Sequence, residues 1–356
     1  MSVQYVKERL FFPLDRKLKL RNDQWSEGAA RVATRQGLQA RSFRLAAGAY
    51  SDAVGSSISA DSVRRITEGW GEAVAAQREV DVAGLYALNS VEEPAVEERD
   101  PLQKQANLAT DGGMMLVRGE GWKEVKVVSV SAVEAKQKGD SLPDGRRYAP
   151  WEPAITLTRH SYQAALCTAE VMERYQYLEG CRRGLPTCPK ASAVSDAAAW
   201  IQSITETNFP QITQIVDWFH AAERLWAVAK ACFADKDERE RWVAARLDEL
   251  WAGQADKVLN ALEALDLAAS DDDELRQMPG YFRNHQARMR YHQYRVAGYP
   301  IGSGTVESAI NIVVHHRLKR QGRGWTRNNG QAMLAALSEL HSDRFEWAWR
   351  RTQSLF

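Results

Sequence analysis

The stretch Leu108-Ala109-Thr110-Asp111-Gly112-Gly113-Met114-Met115-Leu116-Val117 decides how the rest of the chain is read. It is apolar enough for a buried strand, with an expected interruption at the two glycines. A carboxylate inside such a strand is costly unless it is paired or binds a metal. After a turn at 119–121, Glu124 to Val133 reads as a second strand and Ser161 to Cys167 as a third. Thr168 to Arg183 has helical spacing through Val171, Met172, Tyr175 and Leu178. A short strand of small residues, Lys190 to Ser195, then ends at Asp196. A helix (197–207), a strand (211–216) and a strongly amphipathic helix (217–233) follow. Three strands, then alternating helix and strand, predict an α/β fold with a mixed sheet covered by helices.

Outward from this core the grammar changes. Residues 1–88 read as helices, and Ser59 is placed to cap one whose buried stripe is Val63, Ile66 and Trp70. Helix, short turn, then a helix opening Ser-x-x-Ser-Val-Arg-Arg is a helix-turn-helix pattern that would offer Arg64 and Arg65 to DNA. Residues 89–105 form an acidic linker with two prolines, and 106–233 the first part of the α/β domain. Residues 234–298 are helical throughout, with an acidic break at 271–274 and a Pro279-Gly280 turn. Residues 299–356 close the domain with helices, the last from Asn328 to about Arg351.

The chain of 356 residues carries 26% charged side chains and a net charge of +1, ordinary for a soluble protein. Nucleic acid is not excluded, because what matters is whether basic residues cluster. Arg317, Lys319, Arg320 and Arg323 around Trp325 are the densest basic patch with an aromatic ring, a pattern suited to tracking a phosphate backbone. Four cysteines without Cys-x-x-Cys spacing signal neither a disulfide framework nor a zinc knuckle, and a reducing cytoplasm is the simplest setting. No Gly-Lys-Ser/Thr follows Gly112-Gly113, so nucleotide triphosphate use is unsupported. Trp242 and Trp251 are expected in helix cores, while Tyr281 to His292 mixes rings and arginines.

The chemistry rests on carboxylates. Asp196 sits where a short strand runs out into a helix, a position where parallel sheets place functional groups. Glu307 follows the turn Tyr299-Pro300-Ile301-Gly302-Ser303-Gly304, where Ser303 or Thr305 can cap the next helix. If the two strands are adjacent and the late helix crosses them, Asp111, Asp196 and Glu307 make an oxygen-only cluster. Such a cluster suits two Mg²⁺ or Mn²⁺ ions acting on a phosphodiester. His315-His316, two turns past Glu307, could place one ring on the same side, although a phosphate contact or plain surface is the simpler expectation.

Asp-Gly in a first strand, Ser-Asp followed by a Trp, Val-Asp-Trp-Phe-His-Ala-Ala-Glu at 216–223 and Ile-Gly-Ser-Gly-Thr-Val-Glu-Ser at 301–308 together resemble a known family. The chain looks like bacterial insertion-sequence transposases of the DDE superfamily, within it the ISKra-type group related to Mutator-like elements, over roughly residues 10 to 350. The resemblance implies an RNase H-like catalytic domain interrupted by an all-helical insertion before the last acid. It implies catalytic, metal-binding roles for Asp111, Asp196 and Glu307, and an accessory motif at Asp217 and His220. Asp217 rivals Asp196 as second ligand; Asp196 is preferred because the fold places its second acid at the end of the strand beside the first. The implied activity is cleavage at transposon ends and transfer of 3′-hydroxyls into target DNA by a homodimer or higher oligomer, in a bacterial cytoplasm at the nucleoid. A catalytically idle DNA-binding descendant and a non-transposing RNase H-like nuclease are the alternatives. Two departures stand out: no cysteine precedes Cys167, and Ala197 stands where the family often has Gly after the second Asp.

Overall fold

The computed structural model describes residues 25–87, 104–136, 145–319 and 324–352. Most of the expected acidic linker, and Arg320 and Arg323 of the basic patch, lie outside these residues.

The centre is a five-stranded sheet in the order β3-β2-β1-β4-β5. Its strands are β1 (Ala106–Val117), β2 (Gly121–Ala135), β3 (Ile155–Ala165), β4 (Ala191–Ser195) and β5 (Thr213–Val216). β1, β2 and β3 pair antiparallel, whereas β4 joins β1 and β5 joins β4 in parallel. The run Val125 to Val133 is buried residue after residue, as a strand covered on both faces must be.

Period-two alternation sorts the sheet residues between two cores. On one face Ala109, Val127 and Ala164 pack with helices α1 (Glu27–Gln39) and α3 (Ala60–Ala87), and with α13 (Arg327–His341) and α14 (Phe345–Thr352). On the other, Leu108, Val128 and Ala193 pack with α4 (Ala169–Arg182) and α5 (Ala199–Asn208). Between α1 and α3 lies α2 (Phe43–Val54), capped by Ser42. The expected stripe Val63, Ile66 and Trp70 is buried, and the Trp70 ring lies 4.9 Å from Phe345 and 5.7 Å from Trp349. Gly71 lets α3 lie directly against the Ala332 carbonyl of α13, a contact that any side chain there would block.

A third core joins β4 and β5 to α6 (Trp218–Cys232) and to the helices α7 (Lys236–Trp251), α8 (Ala255–Glu263), α9 (Asp273–His285) and α10 (Tyr291–Val296). Trp251 stands edge-on to Trp218 at 5.2 Å with the Arg295 guanidinium over it, and Trp242 leans on Phe233, so both tryptophans are packing residues. The chain returns through α11 (Gly304–Ala309), a π turn (Ile310–His315) and α12 (His316–Leu318). Among the described residues no helix is long and apolar enough to cross a membrane.

The structure corrects several sequence expectations. β1 is not interrupted at its glycines: Gly112 and Gly113 pair in register with Lys126 and Val125. The reason for Gly113 is close approach, since a Cβ there would fall 2.7 Å from Ile310 Cγ2. Pro279-Gly280 is not a turn but lies inside α9, where burying Met278 and Phe282 one turn apart outweighs the hydrogen bond that proline forfeits. β3 begins at Ile155, earlier than expected. The single last helix is two, split at Asp343 (φ 56°), because the Arg344 guanidinium is drawn to Glu179 and Glu339.

Candidate active site

Ala109 pairs with Val194 across the parallel β1–β4 ladder. Continued two residues along each strand, that register sets Asp111 beside Asp196, on strands about 4.8 Å apart. Both residues are half-buried, and Glu307 is exposed on the first turn of α11, which packs across β1 and β2. Asp111 Oδ1 accepts the Gly112 N–H at 2.6 Å, and Asp196 Oδ1 accepts the Ala198 N–H at 2.9 Å.

The three carboxylates share one electrostatic neighbourhood. Burial, reinforced by Asp196 and Glu307, pushes the Asp111 carboxyl up to about 6, although the Gly112 N–H and nearby His220 pull it down. Such a shift, caused by burial and like charges in one place, marks a candidate functional site rather than a structural ion pair. The donors are hard oxygens with a surplus of negative charge, which fits a divalent cation such as Mg²⁺ or Mn²⁺. As they stand, no three His, Cys, Asp or Glu side chains among the described residues form a ready metal-holding group.

Asp217 plays a different part. It is 0% exposed and caps α6, its Oδ1 accepting the His220 N–H at 2.9 Å while Oδ2 accepts the Ser303 N–H. Its own N–H donates to Ser195 O at 2.8 Å, and the Trp218 N–H donates to Ile301 O at 2.8 Å. With both oxygens spent on backbone amides, Asp217 ties the strand end before Asp196 to the turn before Glu307. Gly302 passes so close to Phe219 that a Cβ would come within 3.0 Å of the ring. This clamp corrects the capping expectation: Ser303 sits at the N-cap of α11, but no side chain caps it.

Ala197 adopts φ 69°, a left-handed conformation that glycine takes without strain. The backbone after Asp196 thus has the shape a glycine would suit, built here with alanine. The Tyr281 hydroxyl of α9 reaches the Asp196 carbonyl at 3.4 Å, and Arg224 covers the Tyr281 ring at 4.2 Å. His220 Nδ1 lies 3.4 Å from Glu223. His315 turns back on Asn311 within its own helix at 3.1 Å, and burial lowers its pKa.

The expected DNA-contacting residues divide sharply. Arg317 is only 2% exposed; its guanidinium lies over Phe43 and near Trp325, and its Nε donates to Gly37 O. Trp325 is half-buried, bridged to Val117 at the end of β1, with Nε1 donating to Leu318 O. Both join the N-terminal helices to the sheet, and the burial of Arg317 corrects the expectation that it faces DNA: its apolar surface is worth more in that seam than in water. Lys319 stays exposed, 5.8 Å above the ring of Trp122, itself 54% exposed on β2 just past the hairpin turn. Trp122 had no signal beyond an aromatic beside a Gly-rich turn. Arg64 is held by Asp61 and Glu68, and Arg65 by Asp61, with the Arg65 side chain 63% exposed.

Compared with known proteins, the chain matches no family model and no curated sequence.

Proposed function

We propose that the chain is a DDE-type DNA transposase, a metal-dependent nuclease and polynucleotidyl transferase built on an RNase H-like domain. One observation carries the reading: Asp111 on β1 and Asp196 just past the end of the neighbouring parallel strand β4 share one electrostatic neighbourhood, Glu307 approaches on a helix laid across β1 and β2, and burial reinforced by these like charges lifts the Asp111 carboxyl. The strand order with its antiparallel and parallel halves supports the RNase H-like assignment. Asp111, Asp196 and Glu307 would hold Mg²⁺ or Mn²⁺, and two such ions activate the attacking oxygen and stabilise the departing one. Asp217 holds the two halves of the site in register, and Tyr281 supports the Asp196 backbone. Lys319 and Trp122 offer a cation and an exposed ring to the DNA. Arg65, Arg320 and Arg323 would add backbone contacts, the helices 236–296 the expected insertion, and a homo-oligomer in the bacterial cytoplasm would bring two DNA ends together.

The test uses the terminal repeats flanking the reading frame. Asp111→Ala, Asp196→Ala and Glu307→Ala should each lower Mg²⁺-dependent nicking and strand transfer by about 10³-fold or more, the scale of several kcal/mol in the transition state, with repeat binding retained. Normal cleavage by Asp196→Ala alongside an inactive Asp217→Asn would move the second ligand to Asp217. Binding without nicking by the wild-type chain would leave the idle DNA-binding reading instead.

A further inference from the structure

The helical segment after β5 reaches back to the end of β4. There α9 brings the Tyr281 hydroxyl 3.4 Å from the Asp196 carbonyl, and the His285 ring stands edge-on to Tyr281 at 4.7 Å between centroids. The 3-10 turn Gln286–Arg288 follows beside β5, its Ala287 carbonyl accepting the Tyr294 hydroxyl at 3.0 Å. Arg288 closes the row: its Nη2 donates to Gln202 Oε1 at 2.7 Å and is within hydrogen-bond reach of His285 Nδ1. Gln202 belongs to α5, which starts at Ala199 just past Asp196. Tyr281, His285 and Arg288 thus form a row leading outward from one of the candidate metal ligands.

Arg288 differs from the arginines around it in what answers its charge. Arg224 lies over the Tyr281 ring at 4.2 Å and pairs with Glu274 at 3.2 Å, and Arg283 pairs with Glu263. The partners of Arg288 are neutral instead. Gln202 is an amide, and burial together with the Arg288 and Arg224 charges holds the His285 pKa down at about 4. At neutral pH that ring carries no charge, and its Nδ1 is free to accept from the guanidinium. Burial lowers the Arg288 pKa as well, while Tyr281, Glu206 and Tyr294 act the other way. Glu206 is exposed on α5, and neither it nor any other carboxylate among the described residues forms an ion pair with Arg288. Both bonds leave from Nη2, so Nε and Nη1 donate to no described residue, and neither is sealed from solvent. A half-buried guanidinium fixed through one nitrogen and unanswered at the others is prepared for an anion.

We propose that Arg288 binds a backbone phosphate of the DNA strand being cut, one flanking the phosphate held at Asp111, Asp196 and Glu307. The identity of the strand rests on the transposase reading; the contact itself rests on the geometry around Arg288. The acids of the site attract metal ions but repel a bare phosphate backbone, so an approaching strand gains from a fixed cation at the edge of the site. A non-bridging phosphate oxygen accepts a charge-assisted hydrogen bond from Nε or Nη1, while Gln202 and His285 keep the guanidinium oriented.

Binding of the full chain to a terminal-repeat duplex without divalent metal, followed by fluorescence anisotropy over a salt series, tests the contact; nicking in Mg²⁺ is assayed separately. Arg288→Gln should bind about tenfold more weakly and flatten the salt slope by about one. Arg288→Lys keeps the charge and should keep the wild-type slope. Replacing single phosphates by uncharged methylphosphonates should locate the contact. At one position near the cut, wild type should lose about tenfold in affinity and Arg288→Gln nothing further, the non-additivity of a direct contact. Folding is checked by thermal melts, and Arg288→Met, which keeps the aliphatic length, replaces Arg288→Gln if the latter melts early. An unchanged slope in the neutral variant overturns the proposal. So does a loss of affinity at constant slope that Arg288→Lys shares, which is what a purely structural bridge from Gln202 to His285 would give. Failure of the transposase reading looks different: wild type never nicks the repeat in Mg²⁺ while the slope change at Arg288 persists, which keeps the phosphate contact and removes the cut.

Discussion

Two groups of carboxylates in this protein meet opposite fates. Glu179 is fully buried at the end of α4, and burial alone would raise its pKa; the Arg344 and Arg182 guanidiniums instead bring it down to about 2. Asp111 is less buried, yet burial, reinforced by the Asp196 and Glu307 charges, carries its carboxyl up to about 6, and the Gly112 N–H and His220 offset this only in part. The first group is complete within the chain. The second carries a deficit of positive charge that the chain itself leaves open, and that difference separates structural acids from candidate functional ones.

Breaking the first group should have the largest effect on stability. Arg344→Ala leaves Glu179 and Glu339 in the core with the longer ion pairs to Arg182, at 3.8 and 3.5 Å, and should destabilise the protein by about 3–5 kcal/mol, read from denaturant unfolding. Adding Glu179→Gln should restore part of the loss, since a neutral amide is cheaper to bury than a poorly paired carboxylate.

The opposite sign is expected at the second group. A carboxyl whose folded pKa lies above its unfolded value stabilises the fold relatively below about pH 4, and that advantage is lost as pH rises through about 6. Metal-free Asp111→Asn should therefore be more stable than wild type at pH 7.5, by about 1–3 kcal/mol, with the gain vanishing near pH 4 in thermal melts. A destabilised Asp111→Asn at neutral pH would mean that Asp111 belongs with Glu179 after all. The smallest effect is at Ala197, where Ala197→Gly removes left-handed strain beside Asp196. It should stabilise by about 1 kcal/mol or less, because glycine also loses more chain entropy on folding.

Much of this contrast was legible in the chain beforehand. The alternation of strands and helices from Leu108 to Phe233 showed the mixed sheet, and Asp111 in an apolar strand already demanded an explanation. Gly113 was misread as an interruption, because the Ile310 it accommodates is nearly two hundred residues away in the chain. Arg317 read as part of a surface patch, because a basic residue next to an aromatic looks the same whether it faces DNA or fills a seam. Asp217 read as a rival ligand, because one of the two amides that occupy its oxygens, the Ser303 N–H, is on a turn 86 positions later.

By itself the sequence determined most of the strands and helices, where Asp111, Asp196 and Glu307 sit on them, and which faces are apolar. Those are local properties, set by side-chain periodicity and backbone preference over a few residues. Only the tertiary structure decided which charges are answered. It closed the Asp217 clamp, buried Arg317, paired Glu179 with Arg344, left Asp111 among like charges and set Arg288 between neutral partners. Electrostatic energy depends on distance and burial, and both are fixed only when segments far apart in the chain are packed together.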